Sequence, residues 1–220
     1  MEFQAVLFDF DYTLGDATRA VAAGFTHALT EMGLPVPDEQ AIRATVGMML
    51  EDAFTLVSGD SRPERQAEFR RLFGQVAHPM QLEGVPLFPG ARELLLALHG
   101  AGIPAAVVSS KRTDTLRAIF DKHGLTGALS HIVGGDLAPR PKPDPSGVLL
   151  VLDELHIPPA EALFCGDTVI DAETARRAGT HFCAVLNGVT GPAAFAPFPV
   201  DHIAPDLPDL TAWLGLAAQT

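Results

Sequence analysis

Two hydrophobic rhythms alternate along most of the chain. Residues 3–8 (FQAVLF) form a near-continuous apolar run that ends in acidic residues. That pattern predicts a strand buried on both faces, with its carboxyl end delivered to solvent. Four later segments repeat the form: 103–108 (IPAAVV), 131–133 leading into Gly134-Gly135, 162–165 (ALFC) and 181–186 (HFCAVL). Between them the apolar positions take a helical period, over 91–98, 113–123, 145–155 and 171–178. The first of these closes at His99-Gly100, and Gly124 and Gly179 follow the second and fourth, where glycine commonly caps a helix. Strand and helix in regular alternation predict βαβ units and an α/β fold with a doubly wound parallel sheet. Ligands of such sheets bind outside the carboxyl ends of the strands.

The stretch from residue 15 to residue 85 breaks the alternation. It contains no strand pattern and reads as helices over 18–31, 38–46, 50–56 and 63–76, punctuated by Gly33, Pro35, Pro37, Gly47 and Gly59. We therefore expect a Rossmann-like core formed by residues 1–14 and 86–220, with an all-helical domain, 15–85, inserted after the first strand. The chain crosses between the two near Gly15-Asp16 and near residues 83–87, so the insert is expected to open and close on two short hinges. The tail, 192–208, is rich in proline and is expected to wrap the surface around one short strand near 201–204.

Charge narrows the partners. The formal net charge is −12, which repels phosphate backbones and anionic lipid and disfavours nucleic acid or a membrane as partner. Arg62, Arg65, Arg70 and Arg71 are interleaved with Glu64 and Glu68 and read as a solvated helix face. The N-terminal MEFQAVLFDFD has no basic leader or cleavage site, and no uncharged apolar run approaches the ~20 residues of a membrane span. A cytoplasmic protein is expected. Cys165 and Cys183 lie in apolar runs and read as small core residues, with a buried disulfide between neighbouring strands as the alternative.

The candidate chemistry is carboxylic. Asp9 and Asp11 end the first strand in LFDFDYTLGD, and residues i and i+2 of an extended chain point to one side, ~6–7 Å apart. Asp167 and Asp171 follow the fourth strand in FCGDTVIDAETA. Both pairs lie at carboxyl ends of strands in one sheet and can converge, and four carboxylates in one crevice call for a cation. A hard divalent ion held by oxygens, Mg²⁺, suits them beside phosphate. The second strand ends in VVSSKR, where Ser109, the Ser110 N–H and the following helix start can donate to phosphate oxygens, or where Ser109 simply caps a helix. Lys142, among Pro139, Pro141, Pro143 and Pro145, suits a fixed positive charge beside pentavalent phosphorus, or sits on a surface connector. Lys111 and Arg140 are read as solvated neighbours. The histidines show no zinc spacing, and neither GxGxxG nor GxxxxGK[ST] occurs.

Four segments, DFDYTL, VVSSK, RPKPDP and GDTVIDAETARRAG, resemble in order the four motifs of the haloacid dehalogenase superfamily, and the helical insert resembles its C1 cap. The group most resembled is that of the phosphoglycolate phosphatases and pyrophosphatase-like members. The resemblance implies that Asp9 is a nucleophile and Asp11 a general acid and base. It implies Mg²⁺ held by Asp9, the Asp11 carbonyl and Asp167, with Asp171 ligating through water or orienting the others. Ser109, Ser110 and Lys142 would bind the transferring phosphoryl group, and Lys142 would also pair with Asp9. Tyr12 departs from the pattern, which commonly has glycine there, and is expected at the pocket mouth. Substrate choice is expected from the insert around Gly47 in TVGMM. The implied function is Mg²⁺-dependent hydrolysis of a small phosphorylated metabolite, by a monomer or homodimer. Alternatives are a pyrophosphatase, or a sugar-phosphate phosphatase or mutase, of the same fold. A dehalogenase of the superfamily has no use for Asp11 or a metal, a phosphoryl-accepting signalling domain lacks such an insert, and an inactive binding protein would not need these residues intact.

Overall fold

Four consecutive buried residues, AVLF, make strand β1 (Ala5–Phe8), around which a computed structural model of the chain builds a six-stranded parallel sheet. Residues 3–216 are described. By contact the chain divides into two units, Met1–Gly15 with Leu87–Thr220, and Asp16–Pro86.

In the first unit, α5 (Ala91–Gly100), β2 (Ala105–Val108), α6 (Thr113–Lys122), β3 (His131–Val133), α7 (Ser146–Leu155), β4 (Ala162–Gly166), α8 (Val169–Ala178), β5 (His181–Val185), β6 (His202–Ala204) and α9 (Leu207–Trp213) follow β1 in the chain. The sheet order is β3-β2-β1-β4-β5-β6. The chain thus builds outward from β1 to one edge, then returns to β1's other side with β4. That reversal between β1 and β4 is the switch point where such sheets open a crevice. Register there is fixed by Val6 against Leu163 and Phe8 against Cys165. Ala5, Leu7, Ala106, Val108, Ala162, Phe164, Phe182 and Ala184 pack with Val148, Val151 and Leu152 of α7 and Ala172, Ala175 and Ala178 of α8. Burying this face supplies the hydrophobic driving force that holds the carboxyl ends level.

Cys165 and Cys183 are partners across β4 and β5, and both are free and buried. They are core residues, and burial, with the neighbouring thiol, pushes Cys165 well above the usual thiol range. The proline-rich tail holds more than the expected strand. α9 starts with Pro208 in its first turn and is capped by Asp206, which accepts from the Asp209 N–H.

The second unit holds α1 (Thr18–Glu31), α2 (Glu39–Arg43), α3 (Leu50–Ser58) and α4 (Pro63–Glu83). Its core is aromatic: Phe25, Phe54, Phe69 and Phe73 meet with ring centroids 4.9–6.0 Å apart. Gly24 of α1 lies so close to Phe73 of α4 that a side chain there would collide with the ring. The helix expected over 63–76 runs on to Glu83 through Pro79. α2 is shorter than expected, because Asp38 is its N-cap and Ala44 its C-cap. Gly47 lies in the turn between α2 and α3 at φ +93°, a left-handed conformation that favours glycine. Among the described residues no helix is long and apolar enough to cross a membrane.

Candidate active site

The site starts from the register of β1 and β4. The Asp9 N–H donates to the Cys165 carbonyl (2.9 Å), which sets Asp9 beside the end of β4, two residues before Asp167. After Asp9 the chain closes a tight turn in which the N–H groups of Thr13, Leu14 and Gly15 all donate to the Phe10 carbonyl. Tyr12 occupies the left-handed region there (φ +57°), which explains why the family pattern favours glycine at this position. Tyr12 is 1% exposed, and its Cβ lies beside Gly188, next to Asp167.

Asp171 is held twice. It is the third residue of α8, and its Oδ2 accepts from the Thr168 N–H (3.1 Å) and hydroxyl (2.6 Å) in a capping box. Its Oδ1 accepts from Lys142 Nζ at 2.7 Å. The same ammonium lies 3.0 Å from Asp9 Oδ2, so Lys142 bridges the nucleophile candidate and the helix cap. Both Asp171 oxygens are thus hydrogen-bonded, one to the helix cap and one to Lys142. Burial alone would lower the Lys142 pKa, but Asp171 and then Asp9 outweigh it and hold the ammonium above its ordinary value.

Asp9 is 1% exposed, and its Oδ1 has no hydrogen-bond donor. Burial raises its pKa from 3.8 to about 6, against the pull of Lys142 and with added repulsion from Asp171 and Asp11. Asp167 is raised well above the carboxylate range, first by burial and then by Asp171 and Asp9. Its Oδ1 accepts from the Thr13 hydroxyl at 3.3 Å. Asp9, Asp167 and Asp171 each offer an oxygen within 4.8 Å of the others. An unpaired buried carboxylate oxygen within an all-oxygen donor set fits a hard divalent cation such as Mg²⁺. With every group ionised, the four aspartates and the ammonium groups of Lys111 and Lys142 leave the centre two charges negative, which one such ion would neutralise.

The second ammonium, Lys111, is not the solvated neighbour expected from the sequence. Its side chain is 7% exposed and its Nζ lies 3.2 Å from Asp11 Oδ2, over the Phe10 ring. Asp11 is itself buried, and its Oδ1 has no donor. Arg140 is exposed and pairs with Asp144.

Ser109 is buried at the end of β2, and its Oγ accepts from the Lys111 N–H at 3.3 Å. It does not cap α6, whose N-cap is Arg112. Nor is the start of α6 open to an anion at Thr113, because that residue's N–H and hydroxyl both donate to Asp136 (2.7 and 2.9 Å). Ser110 is half-buried, and a Cβ on Gly135 would lie 2.7 Å from its carbonyl oxygen. Gly47 belongs to the helical unit. The loop after β5 is a part of the centre that sequence reasoning misses. There Asn187 Nδ2 donates to the Thr13 carbonyl at 3.0 Å, and Gly188 abuts Asp167. Only the NG dipeptide marks it, and that reads as an ordinary turn.

A parallel sheet with clustered carboxylates and a bridging lysine at its switch point makes this unit a Rossmann-like core with a carboxylate centre. Residues 6–185 match the haloacid dehalogenase-like hydrolases, and the chain belongs to that family. It is 33% identical to the protein named probable phosphatase IndB of Dickeya dadantii, across 84% of this chain and 81% of that one. It is 30% identical to the phosphoglycolate phosphatase of Salmonella typhimurium, across 97% and 93%. The crystal structure of a haloacid dehalogenase-like hydrolase from Bacteroides fragilis matches with a TM-score of 0.92 at 32% identity, over 95% of this chain and 100% of that one.

Proposed function

We propose that the protein is a Mg²⁺-dependent phosphatase that hydrolyses a small phosphomonoester through an aspartyl phosphate on Asp9. The observation that carries this reading is a buried carboxylate whose Oδ1 has no donor while its Oδ2 is braced by Lys142. An oxygen kept free in that way is available as a nucleophile or as a metal ligand. Asp9, Asp167 and the Asp11 carbonyl would hold the ion, which when bound neutralises the carboxylates and the phosphoryl oxygens.

An Asp9 oxygen attacks phosphorus as the bond to the leaving oxygen breaks, and Asp11 gives that oxygen its proton. Water then attacks the aspartyl phosphate, Asp11 takes a proton back, and the Asp9 carboxylate leaves with inorganic phosphate as product. Lys142 stays charged throughout, offsets the growing negative charge and keeps Asp9 ionised. Ser109 and the Ser110 N–H bind the phosphoryl oxygens. Phosphoglycolate, or a phosphomonoester like it, is the substrate class supported by the phosphoglycolate phosphatases among the relatives.

The test is phosphate release from a panel of phosphomonoesters that includes phosphoglycolate, with Mg²⁺, together with acid-quench labelling by a ³²P-substrate. Label is expected on the peptide carrying Asp9 and is expected to vanish in Asp9→Asn. Undiminished turnover by Asp9→Asn would overturn the mechanism.

A further inference from the structure

The loop that follows β5 contributes no ionisable group to the centre, but it touches the centre at two points. A Cβ built on Gly188 would fall well under 3.0 Å from Asp167 Oδ2, 3.1 Å from its Cγ and 3.2 Å from the Tyr12 Cβ. The backbone at Gly188 is not left-handed, so its conformation does not demand glycine; the Asp167 carboxylate does. One residue earlier, Asn187 Nδ2 ties the loop to the Thr13 carbonyl. The Thr13 hydroxyl in turn donates to the other oxygen of Asp167. Asp167 is thus held by Thr13 at Oδ1, its Oδ2 occupies the space a side chain at Gly188 would need, and Asn187 ties the Gly188 loop to Thr13.

We infer that Asn187 and Gly188 are positioning residues that set the Asp167 carboxylate for a divalent cation. The inference rests on the metal site proposed above. Among the described residues no cation forms an ion pair with Asp167: Lys142 pairs with Asp9 and Asp171, and Lys111 with Asp11. The missing side chain at Gly188 leaves Oδ2 its place instead. A methyl at position 188 is relieved most cheaply by rotating the short Asp167 side chain, because the other nearby atom is the Cβ of a buried residue. The fold then survives while the ligand oxygen moves. Mg²⁺ tolerates little such movement, since it requires near-octahedral geometry with bonds of ~2.0–2.1 Å.

The experiment measures Mn²⁺ binding to the full chain without substrate, by electron paramagnetic resonance of the free ion, alongside denaturant unfolding of the metal-free protein. Gly188→Ala is expected to weaken Mn²⁺ binding by roughly 10–100-fold, the usual effect of disturbing a ligand's support, and to leave the metal-free unfolding midpoint near wild type. Gly191→Ala is the control in the same loop, where a Cβ meets open space, and it should bind as wild type does. Asn187→Ala deletes a single hydrogen bond and should weaken binding by several-fold. The inference is overturned if Gly188→Ala binds Mn²⁺ as wild type does, or if Gly191→Ala loses as much. Should Gly188→Ala fail to fold, undiminished binding by Asn187→Ala overturns it. A wild-type chain that binds no Mn²⁺ overturns the metal reading itself, a separate result.

Discussion

Replacing Asp9 by asparagine in the metal-free protein isolates the electrostatic cost of keeping a bare carboxylate at the switch point. Burial raises the Asp9 pKa from 3.8 to about 6 even with Lys142 beside it. At 1.36 kcal/mol per pKa unit, ionised Asp9 disfavours the folded state by about 3 kcal/mol. The sign follows from proton binding: between the two pKa values the native state holds the proton that the unfolded state has released. Wild-type stability therefore falls as pH rises through the interval from 3.8 to about 6. An amide at this position cannot titrate, so the variant lacks this loss. From pH 4.5 to pH 7 the stability of Asp9→Asn relative to wild type should rise by about 2 kcal/mol. Guanidinium unfolding followed through Trp213, the single tryptophan, reports the core unit, because that residue stacks on His202 of β6. Groups that do not interact with Asp9 contribute alike to both proteins and cancel, and the easing of Asp167, whose pKa Asp9 helps to raise, adds in the same direction. Saturating Mg²⁺ should steady the wild-type curve by favouring ionised Asp9. A pH-independent difference, or one that falls with pH, refutes the argument that Asp9 is held against its ionisation.

Asp11→Asn should slow phosphate release by roughly 10²–10⁴, and should slow formation of the aspartyl phosphate less from a nitrophenyl ester, whose leaving group needs no proton, than from an alkyl ester; equal losses in that first step would count against Asp11 as the acid. Activity should disappear on chelation and return with Mg²⁺ or Mn²⁺ but poorly with Ca²⁺, whose longer bonds displace the nucleophile; full activity in excess chelator would refute metal dependence. Lys111→Met strands the buried Asp11 carboxylate and should cost roughly 3–5 kcal/mol of stability. Adding Asp11→Asn should recover part of that loss in the same unfolding measurement, and strictly additive losses would show that the pair is not coupled.

The catalytic unit's frame was legible because each strand carries an unbroken apolar run and most of its helices end at a glycine. Asp9, Asp167 and Asp171 could be placed together because βα periodicity alone brings them to one edge of the sheet. What escaped depends on contacts that periodicity does not encode. Lys111 reads as a loop lysine, yet it is buried over the Phe10 ring and beside the Asp11 carboxylate. Asn187-Gly188 reads as a turn, whereas the glycine there answers to a carboxylate distant in sequence. Proline misled twice. Pro79 lies inside α4, although an internal proline usually breaks a helix, and Pro208 belongs to a helix start in a tail read as irregular. Tyr12, expected at the pocket mouth, is buried and sits on left-handed backbone, neither of which the apolar periodicity encodes.

The core's interruption is sewn shut at its own edge. Gly15 pairs with Leu87 in an antiparallel bridge, the Phe88 N–H donates to the Leu14 carbonyl and the Asp16 N–H to the Pro86 carbonyl, at 2.9 and 2.8 Å. The residues between are, in polymer terms, a loop whose two ends are already clasped. Closing such a loop costs entropy only logarithmically in its length, about 0.6 kcal/mol per doubling for a flexible chain. Lengthening, shortening or exchanging that segment therefore perturbs the clasp weakly and leaves the register of β1 with β4 untouched. The carboxylate centre can stay constant in descent while the intervening segment diverges, and the two can answer to different selective pressures.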